Sequence, residues 1–437
     1  SAKGLDMALW HTPYLDPEGL LSGALYKEAE SKGYFPPVQS PLQAKWGPPI
    51  DFSNPAAYAW WQEQLGGYKD LGIRGYKLDY AQEVVVGGFG SRFPWSFADG
   101  TNELTMHRDY QRLYHRVYRE MLPETGGFLL VRSGTYGDQT HGTIIWPGDI
   151  DATMAQHGAT VERPDGTTYI SVGGLPAAII AGSSLGPSGF PFFASDTGGY
   201  RNAPPSKETF IRWFQHTAFS PVMQVGTNTN DLPWAFGKDA VLDQEILDLY
   251  RIYARWHLRL FPYLWTYAQR VGADGRPIQR PLGLAHPELE SHPSDVYLLG
   301  DNLLVAPVIE EGAKSRQVLL PEGTWIDFFD GSTYQGGQAV TIESPLNKIP
   351  VLTRAGSLLP TLRPTIASML PGTGGLMIDA MNDDANPLWV LMTPGDPSEF
   401  TLYDGTILKQ ETATDTIRVE RLKGSEFDGG VVIEIAA

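Results

Sequence analysis

One short stretch, Gly72–Glu83, constrains the fold of this chain more than any other. Within it, Gly75–Leu78 predicts a buried strand that stops at a carboxylate, Asp79. Upstream, Pro55–Leu71 carries large apolar side chains at helical spacing, which predicts an amphipathic helix. This order is typical of a βα-barrel: a helix, a glycine turn, a buried strand and an acid at the C-terminal end of the strand. In that fold, functional side chains project from the C-terminal ends of the strands.

Lys77 strengthens a functional interpretation of Asp79. A lone Asp at a strand end is more often a helix cap or a loop carboxylate. Lys77 lies two residues earlier, however, so both side chains leave the strand on the same face. Two opposite charges on one inward face are costly unless they serve a site, and we therefore interpret Asp79 as a functional carboxylate.

Further strand–loop–helix units follow this pattern along the first part of the chain. Strands that end in polar or glycine-rich loops are predicted at Leu5–Trp10, Gly127–Val131, Thr143–Trp146, Phe190–Ala194 and Pro221–Val225. Such alternation favours a parallel sheet, and the loops favour the barrel form with a site at one rim. One long helix, Leu242–Tyr267, closes this part of the chain.

From about Tyr297 the predicted strands become short and are separated by turns, which is typical of an all-β sandwich. The Pro- and Gly-rich stretch Pro360–Gly375 predicts a boundary within it. The fold class we predict is α/β, a (β/α)8 TIM barrel followed by all-β sandwich-type domains. The predicted domains are a catalytic barrel at 1–290, a proximal β-sandwich domain at 291–363 and a distal β domain at 364–437.

The composition of the chain excludes several classes of binding partner and metal site. The net charge of −17 argues against nucleic acid and anionic membranes, since both attract basic patches. The chain has no cysteine, which excludes disulfides and thiolate metal sites, and we expect no cofactor and no metal. No apolar run reaches the length of a membrane span.

Two strand-end carboxylates suit one particular chemistry. Hydrolysis of a glycosidic bond with retention needs a nucleophilic carboxylate and a proton-donating carboxyl group roughly 5–5.5 Å apart. Asp79 beside Lys77 fits the nucleophile, and Asp149 after Trp146-Pro-Gly fits the acid. An Asx-turn is an equally good interpretation of Asp149, and Asp151 and Asp138 are alternatives for its role.

Two other polar residues have open interpretations. Arg132, at a strand end, either binds a substrate hydroxyl and keeps a carboxylate ionised, or forms an ordinary ion pair at the rim. Asp196, after Ser195, is interpreted as part of a turn that shapes the pocket.

Several motifs, taken in order, resemble those of glycoside hydrolase family 31, which holds α-glucosidases, α-xylosidases and α-galactosidases. They are Gly75-Tyr-Lys-Leu-Asp79, Arg132-Ser-Gly134, Trp146-Pro-Gly-Asp149, Phe192-Phe-Ala-Ser-Asp-Thr-Gly-Gly-Tyr200, Arg212-Trp-Phe, Leu299-Gly-Asp-Asn-Leu-Leu-Val-Ala-Pro-Val308 and Ile349-Pro-Val-Leu-Thr-Arg-Ala-Gly-Ser357. The resemblance spans nearly the whole chain and weakens after about Pro364.

The resemblance implies a retaining, exo-acting α-glycoside hydrolase with an oligosaccharide or glycoside substrate. It implies Asp79 as nucleophile and Asp149 as acid/base. It also implies that Lys77, Arg132 and Trp146 line a sugar-binding subsite. Phe193, Asp196 and Gln224 are further residues that we predict to bind substrate. A transglycosylase, a lyase or a carbohydrate-binding pseudoenzyme remains as an alternative.

Three departures from the family pattern bear on the substrate. The turn after the nucleophile, Asp79-Tyr-Ala-Gln-Glu83, is one residue longer than usual, and Phe193 replaces a Trp. Gln224-Val-Gly226 replaces Arg-Ser-His. Because Gly226 leaves room where an imidazole usually contacts sugar hydroxyls, α-galactosides or α-N-acetylgalactosaminides are predicted to outperform α-glucosides. Alternatively, a neighbouring loop supplies an equivalent donor and glucose specificity survives.

The family also carries an N-terminal β-sandwich and two barrel strands before the strand matched by Leu5–Trp10. A barrel without them would expose long strand edges. We therefore expect this chain to be the C-terminal piece of a longer protein, with the remainder in a preceding segment or a partner chain. The N-terminus does not define a location, and a secreted or periplasmic one is compatible with the sequence.

Overall fold

The computed structural model describes residues 6–20, 22–39, 46–84, 93–124, 126–163, 165–226, 243–369, 379–381, 386–411, 417–420, 427 and 429–435. The chain forms two compact units, which meet in sequence between Trp146 and Pro147. Within the described residues, no helix combines the length and the apolar character that crossing a membrane requires.

The first unit is built on a parallel sheet in the order β1-β2-β3-β4. Its elements are β1 (Ala8–His11), α1 (Ser22–Lys32), α2 (Pro55–Asp70), β2 (Gly75–Leu78), α3 (Glu103–Arg119), β3 (Phe128–Val131) and β4 (Ile144–Ile145). The predicted strand at Gly75–Leu78 and the predicted helix from Pro55 are thus both confirmed.

Local chemistry explains where the helices begin. The side chain of Asn54 accepts a hydrogen bond from the backbone N–H of Ala56 at 3.0 Å, and Pro55 occupies the first turn of α2, where its missing N–H costs nothing. Asn102 caps α3 in the same way through Leu104.

Gly75 permits the register of the sheet. It pairs with Phe128 on β3, and a Cβ at Gly75 would lie 2.4 Å from the Phe128 ring. A larger residue at position 75 would therefore require the Phe128 ring to shift. Gly75, the first residue of β2, allows that ring to lie over the paired strands.

The second unit holds the remaining helices and strands. Its elements are β5 (Thr160–Glu162), β6 (Thr168–Ile170), α4 (Leu175–Leu185), β7 (Asp196–Thr197), α5 (Lys207–Ala218), β8 (Gln224–Val225), α6 (Gln244–Arg259), α7 (Phe261–Asp274), β9 (Gln279–Pro281), α8 (Leu282–Ala285), β10 (Tyr297–Leu299), β11 (Leu303–Val305), β12 (Ser315–Leu319), β13 (Thr324–Asp327), β14 (Thr333–Gln335), β15 (Ala339–Glu343), β16 (Val351–Arg354), β17 (Leu358–Thr361), β18 (Leu388–Met392), β19 (Ser398–Thr401), β20 (Ile407–Gln410), β21 (Ile417–Glu420) and β22 (Val431–Ile435).

These strands form several small sheets. β5 and β6 make a hairpin, and β7 and β8 pair in parallel. The C-terminal part contains a six-stranded sheet, β14-β13-β16-β11-β10-β9, and the pair β12-β15. Two three-stranded sheets, β17-β18-β22 and β19-β20-β21, follow. The prediction that the C-terminal part consists mainly of short β-strands is confirmed.

Two predicted elements differ in the structure. The strand expected at Phe190–Ala194 is wrong, because the ladder is made two residues later by Asp196 and Thr197. The helix expected over Leu242–Tyr267 is two helices, α6 and α7, separated at Leu260. Pro262 explains the break, since it has no N–H to continue the hydrogen bonds of α6 and fits the first turn of a new helix.

Arg212 ties α5 to the β-rich part of this unit. Its side chain is buried, and its guanidinium donates to backbone carbonyl groups at distances of 2.9 to 3.1 Å; the acceptors are Ala313, Ser344, Pro345 and Lys348. Four carbonyl acceptors replace the water that burial removes from this charge. Arg212 in the Arg-Trp-Phe motif is therefore a structural residue.

Two strands pair across the predicted domain limits. β9 lies within the segment assigned to the barrel domain, yet it pairs with β10. β17 precedes residue 363, yet it pairs with β18 beyond that limit. The three-domain division at 290 and 363 stays a prediction.

Candidate active site

The centre of the candidate site is the carboxylate of Asp79, which follows the last residue of β2 and is 6% exposed. The indole N–H of Trp10 donates to Oδ2 at 3.0 Å, and the backbone N–H of Tyr80 donates to Oδ1 at 2.8 Å. Arg132 also donates to Oδ1 through Nε. Three donors, one of them the cation Arg132, therefore hold this carboxylate in place.

Arg132 is held in place by aromatic rings as well as by Asp79. Its guanidinium carbon lies 5.0 Å from the ring centre of Tyr80 and 5.5 Å from that of Trp146. Lys77 approaches the same indole, with Nζ 4.4 Å from the ring centre. Trp146 is fully buried, so its face forms a fixed support for two cationic side chains. Four residues predicted from the sequence are thus brought together: Lys77, Asp79, Arg132 and Trp146.

Trp10 is the residue of this group that sequence reasoning missed. It ends the segment predicted as the first strand, and in the sheet it lies beside Lys77. Its indole is also 6.2 Å from the ring of Trp46. Its position next to the Asp79 strand could have been inferred from parallel pairing, but its hydrogen bond could not, because 69 residues separate the partners.

Asp149 lies in the second unit, on a tight turn after β4. Gly148 has φ 78°, a left-handed conformation that favours glycine, and the N–H of Ile150 donates to the carbonyl of Gly148 at 3.0 Å. Asp149 is half-buried, which suits a group that must reach substrate.

Asp151, two residues further on, has a different environment. It is fully buried, and its Oδ2 accepts from Ser171 at 2.9 Å and from the N–H of Val172 at 2.8 Å. Its Oδ1 accepts from Asn202 at 2.8 Å. These bonds fasten the Asp149 loop to the residues after the β5–β6 hairpin and to the loop after β7. Asp151 therefore has the contacts of a structural carboxylate, which argues against it as the alternative acid/base.

Asp138, the other alternative, is likewise fully buried. Its Oδ1 lies 3.2 Å from Nδ1 of buried His115, and its Oδ2 accepts from the N–H of Thr135 at 2.9 Å. It therefore stabilises the turn after β3, and its burial leaves no route to substrate.

Asp196 and Gln224 face each other across the short parallel pair β7–β8. The Gln224 side chain donates to Oδ1 of Asp196 at 3.0 Å, and Asp196 is 1% exposed. A Cβ on Gly226 would lie 2.9 Å from that same oxygen. The space next to Gly226 is therefore taken up by a carboxylate. The premise that Gly226 leaves room for a larger substituent therefore gains no support from this contact and stays a prediction.

Phe193 was expected to contact sugar, but its surroundings are those of a core residue. It is 1% exposed, and its ring carbon lies 2.8 Å from where a Cβ of Gly182 on α4 would be. Phe193 thus packs against α4 through a glycine, and its predicted role in the subsite gains no support.

The described residues contain no cluster of three or more His, Asp or Glu side chains arranged to hold a metal ion.

Comparison with known proteins assigns the two parts of the chain. Residues 1–267 match the glycosyl hydrolases family 31 TIM-barrel domain, and residues 275–359 match the glycosyl hydrolase family 31 C-terminal domain. The strands β1–β8 all lie in the segment that matches the barrel domain.

Named relatives act on different sugars. The α-xylosidase of Emericella nidulans is 29% identical over 378 residues, covering 82% of this chain and 44% of its own length. The sulfoquinovosidase of Escherichia coli is 30% identical over 375 residues, covering 81% of this chain and 50% of its own length. The chain thus spans about half the length of these curated relatives.

A solved structure shows the same architecture. The family 31 dextranase of Flavobacterium johnsoniae, complexed with glucose, superposes with a TM-score of 0.77 at 25% identity, covering 99% of this chain and 54% of that one. Family-specific matches over both the barrel and the C-terminal domain, together with this likeness of fold, lead to one conclusion: the chain belongs to glycosyl hydrolase family 31.

Proposed function

We propose that the protein is a retaining, exo-acting α-glycoside hydrolase that removes a terminal α-linked sugar through a covalent glycosyl-enzyme. The observation that carries the proposal is the Asp79 carboxylate at the end of β2, held by Trp10, Tyr80 and Arg132. This arrangement fixes the position of the carboxylate and places a cation beside it, as a nucleophile requires. Family membership supports the same chemistry.

The donors also distinguish the two oxygens of Asp79. Oδ1 accepts from a guanidinium and a backbone N–H, whereas Oδ2 accepts from one neutral indole N–H. Because each donor withdraws electron density, Oδ2 is the better nucleophile. We infer that Oδ2 attacks the anomeric carbon and that Arg132 holds Oδ1 while the carboxylate loses its charge.

Asp149 is proposed as the acid/base. In the first step it gives its proton to the oxygen of the leaving group as the glycosidic bond breaks and the bond to Asp79 forms. In the second step it takes a proton from water, which attacks the anomeric carbon and releases Asp79. The structural role of Asp151 supports Asp149 over its neighbour, because Asp151 is saturated with hydrogen bonds and fully buried.

The identity of the cleaved sugar is to be decided by comparing substrates directly. The named relatives include α-xylosidases, sulfoquinovosidases and an α-glucosidase. With Asp196 beside Gly226, the sequence-based preference for galactose or N-acetylgalactosamine loses its main support. The Lys77–Trp146–Arg132 group is proposed to contact the sugar hydroxyls, and Asp196 and Gln224 stay proposed as substrate-binding residues.

Transglycosylation is a second candidate. An isomaltosyltransferase of Sporosarcina globispora is 29% identical over 324 residues, covering 71% of this chain and 27% of its own length. The first covalent step is common to both reactions, and they differ in whether water or a sugar hydroxyl attacks the glycosyl-enzyme.

A panel of nitrophenyl α-glycosides tests the proposal. It should include the glucoside, xyloside, galactoside and N-acetylgalactosaminide, each with and without an added sugar acceptor. Release of nitrophenol that is abolished in Asp79→Ala supports the hydrolase. A product longer than the donor, formed only with acceptor, identifies a transglycosylase. Nitrophenol release that persists unchanged in Asp79→Ala overturns the proposal.

A further inference from the structure

The turn that follows Asp79 has an unusual backbone. Tyr80 has φ 64° and Ala81 has φ 81°, and neither is a glycine. Left-handed conformations of this kind cost about 1–2 kcal/mol per residue, so the surroundings must hold them. The turn leads directly to Glu83, whose contacts identify what holds it.

Glu83 is attached to the loop after β1. The hydroxyl of Tyr14, which is 5% exposed, donates to Oε1 of Glu83 at 3.1 Å. Oε2 is buried and has no hydrogen-bond partner among the residues that the structure describes. Tyr14 also packs edge-on against Tyr80, with ring centres 6.1 Å apart, and Tyr80 supports the guanidinium of Arg132. A continuous set of contacts therefore joins Glu83 to the cation that binds Asp79.

The charged and titratable groups that face Glu83 among the described residues are Tyr14 from the loop after β1, Asp79 from the end of β2, Tyr110 from α3 and Arg132 from the end of β3. Burial raises the pKa of Glu83 and the charge of Asp79 adds to this, while hydrogen bonds from its own backbone N–H and from Tyr14 and the charge of Arg132 lower it. An ionised carboxylate that is buried with only neutral hydrogen-bond donors is costly, whereas a neutral acid is cheaper to bury.

We propose that Glu83 is a positioning residue that fastens the strained turn after Asp79 to Tyr14 while remaining an uncharged acid. In that form it adds no second negative charge beside Asp79, and it does not compete with Asp79 for Arg132. The role rests on the proposed function, since the geometry that it maintains is that of the nucleophile.

Matched variants separate this role from a general need for a carboxylate. Glu83→Gln copies the shape of the neutral acid, whereas Glu83→Ala removes the contact to Tyr14. On a dinitrophenyl α-glycoside, whose leaving group needs no proton, Glu83→Gln should keep kcat/KM within about threefold of wild type, since its interactions persist. Glu83→Ala should lose roughly tenfold to a hundredfold, mainly in kcat, because a small displacement of the reacting group is expensive.

The dependence of kcat/KM on pH is the measurement that a merely structural role of Glu83 would leave unchanged. As pH rises, wild type should lose kcat/KM on the dinitrophenyl substrate when Glu83 ionises. Glu83→Gln should lack that decline. The matched control is Glu30→Gln on α1, where Tyr26 donates to Glu30 at 2.9 Å in an exposed pair, and this variant should behave as wild type throughout.

Thermal unfolding gives a second readout that needs no substrate. A group whose folded pKa is raised stabilises the fold at low pH, and this contribution is lost as pH rises through the folded pKa. The melting temperature of wild type should therefore fall from acid to neutral pH more steeply than that of Glu83→Gln.

The proposal is overturned if Glu83→Gln is as impaired as Glu83→Ala. It is also overturned if kcat/KM and the melting temperature of Glu83→Gln depend on pH in the same way as those of wild type. If no form of the protein cleaves any aryl α-glycoside, the proposed function fails instead, and the unfolding comparison alone then decides the state of Glu83.

Discussion

Replacing Asp149 and Asp151 separately by alanine should have opposite effects on stability and catalysis. Asp149 is half-buried on a glycine turn, whereas Asp151 is fully buried and accepts three hydrogen bonds. We expect Asp149→Ala to lose activity while keeping its fold, and Asp151→Ala to lose stability first.

The expected loss in the free energy of unfolding follows from the hydrogen-bond donors that each substitution leaves without an acceptor. Asp151→Ala leaves the hydroxyl of Ser171, the N–H of Val172 and the amide of Asn202 without an acceptor. An unsatisfied buried donor costs about 1–3 kcal/mol, and the half-buried Val172 and Asn202 can regain water. The free energy of unfolding should therefore fall by about 3–5 kcal/mol. Asp149→Ala should change it by no more than about 1 kcal/mol.

The stability of both variants is measured by urea unfolding, and their activity is measured on two substrates. Asp149→Ala should lose most activity on a poor leaving group and far less on an activated one, which needs little protonation. Azide should partly restore its turnover by replacing water that now lacks a base. The reasoning is refuted if Asp151→Ala folds as stably as wild type and shows the leaving-group dependence and azide rescue instead.

Three further predictions concern the surroundings of the two carboxylates. Gly226→Ala places a Cβ 2.9 Å from Oδ1 of Asp196 and should lower kcat/KM on the best aryl α-glycoside by about tenfold; an unchanged kcat/KM would mean that Asp196 can yield freely. Arg132→Lys keeps the charge beside Asp79 but loses the planar stack, so kcat/KM should fall by at least about tenfold, and full activity would show that charge alone suffices. Burial lowers the pKa of His11 to about 4, so wild type should lose up to about 3 kcal/mol of stability as pH falls from about 6.5 through that value. Urea unfolding of His11→Gln should show a smaller loss, and an equal loss would contradict the assignment.

The Asp79 strand was predictable because its determinants are local. Helical spacing before it, a glycine turn and a short strand lie within consecutive residues, and the structure has β2 at Gly75–Leu78 as expected. The clustering of Lys77, Arg132 and Trp146 near Asp79 was also accessible, because neighbouring parallel strands bring their C-terminal ends together.

What could not be predicted depends on long-range contacts. The hydrogen bond from Trp10 to Asp79 and the bond from Tyr14 to Glu83 each join residues 69 positions apart. The hairpin β5–β6 is short and has exposed residues on both strands, so it gives no strong periodic signal. The distinction between Asp149 and Asp151 rests on burial and on donors at Ser171 and Asn202, neither of which the Pro-Gly-Asp motif encodes.

The most direct measurement of the central claim is covalent trapping of the nucleophile. The protein is incubated with fluorinated α-glucosyl and α-xylosyl fluorides, which slow release of the glycosyl-enzyme, and then digested and mapped by peptide mass spectrometry. The account predicts one added fluoro-glycosyl group on Asp79, absent from Asp79→Ala. A label on Glu83, Asp149 or any other residue, or turnover of the reagents through an Asp79→Ala variant, would contradict it.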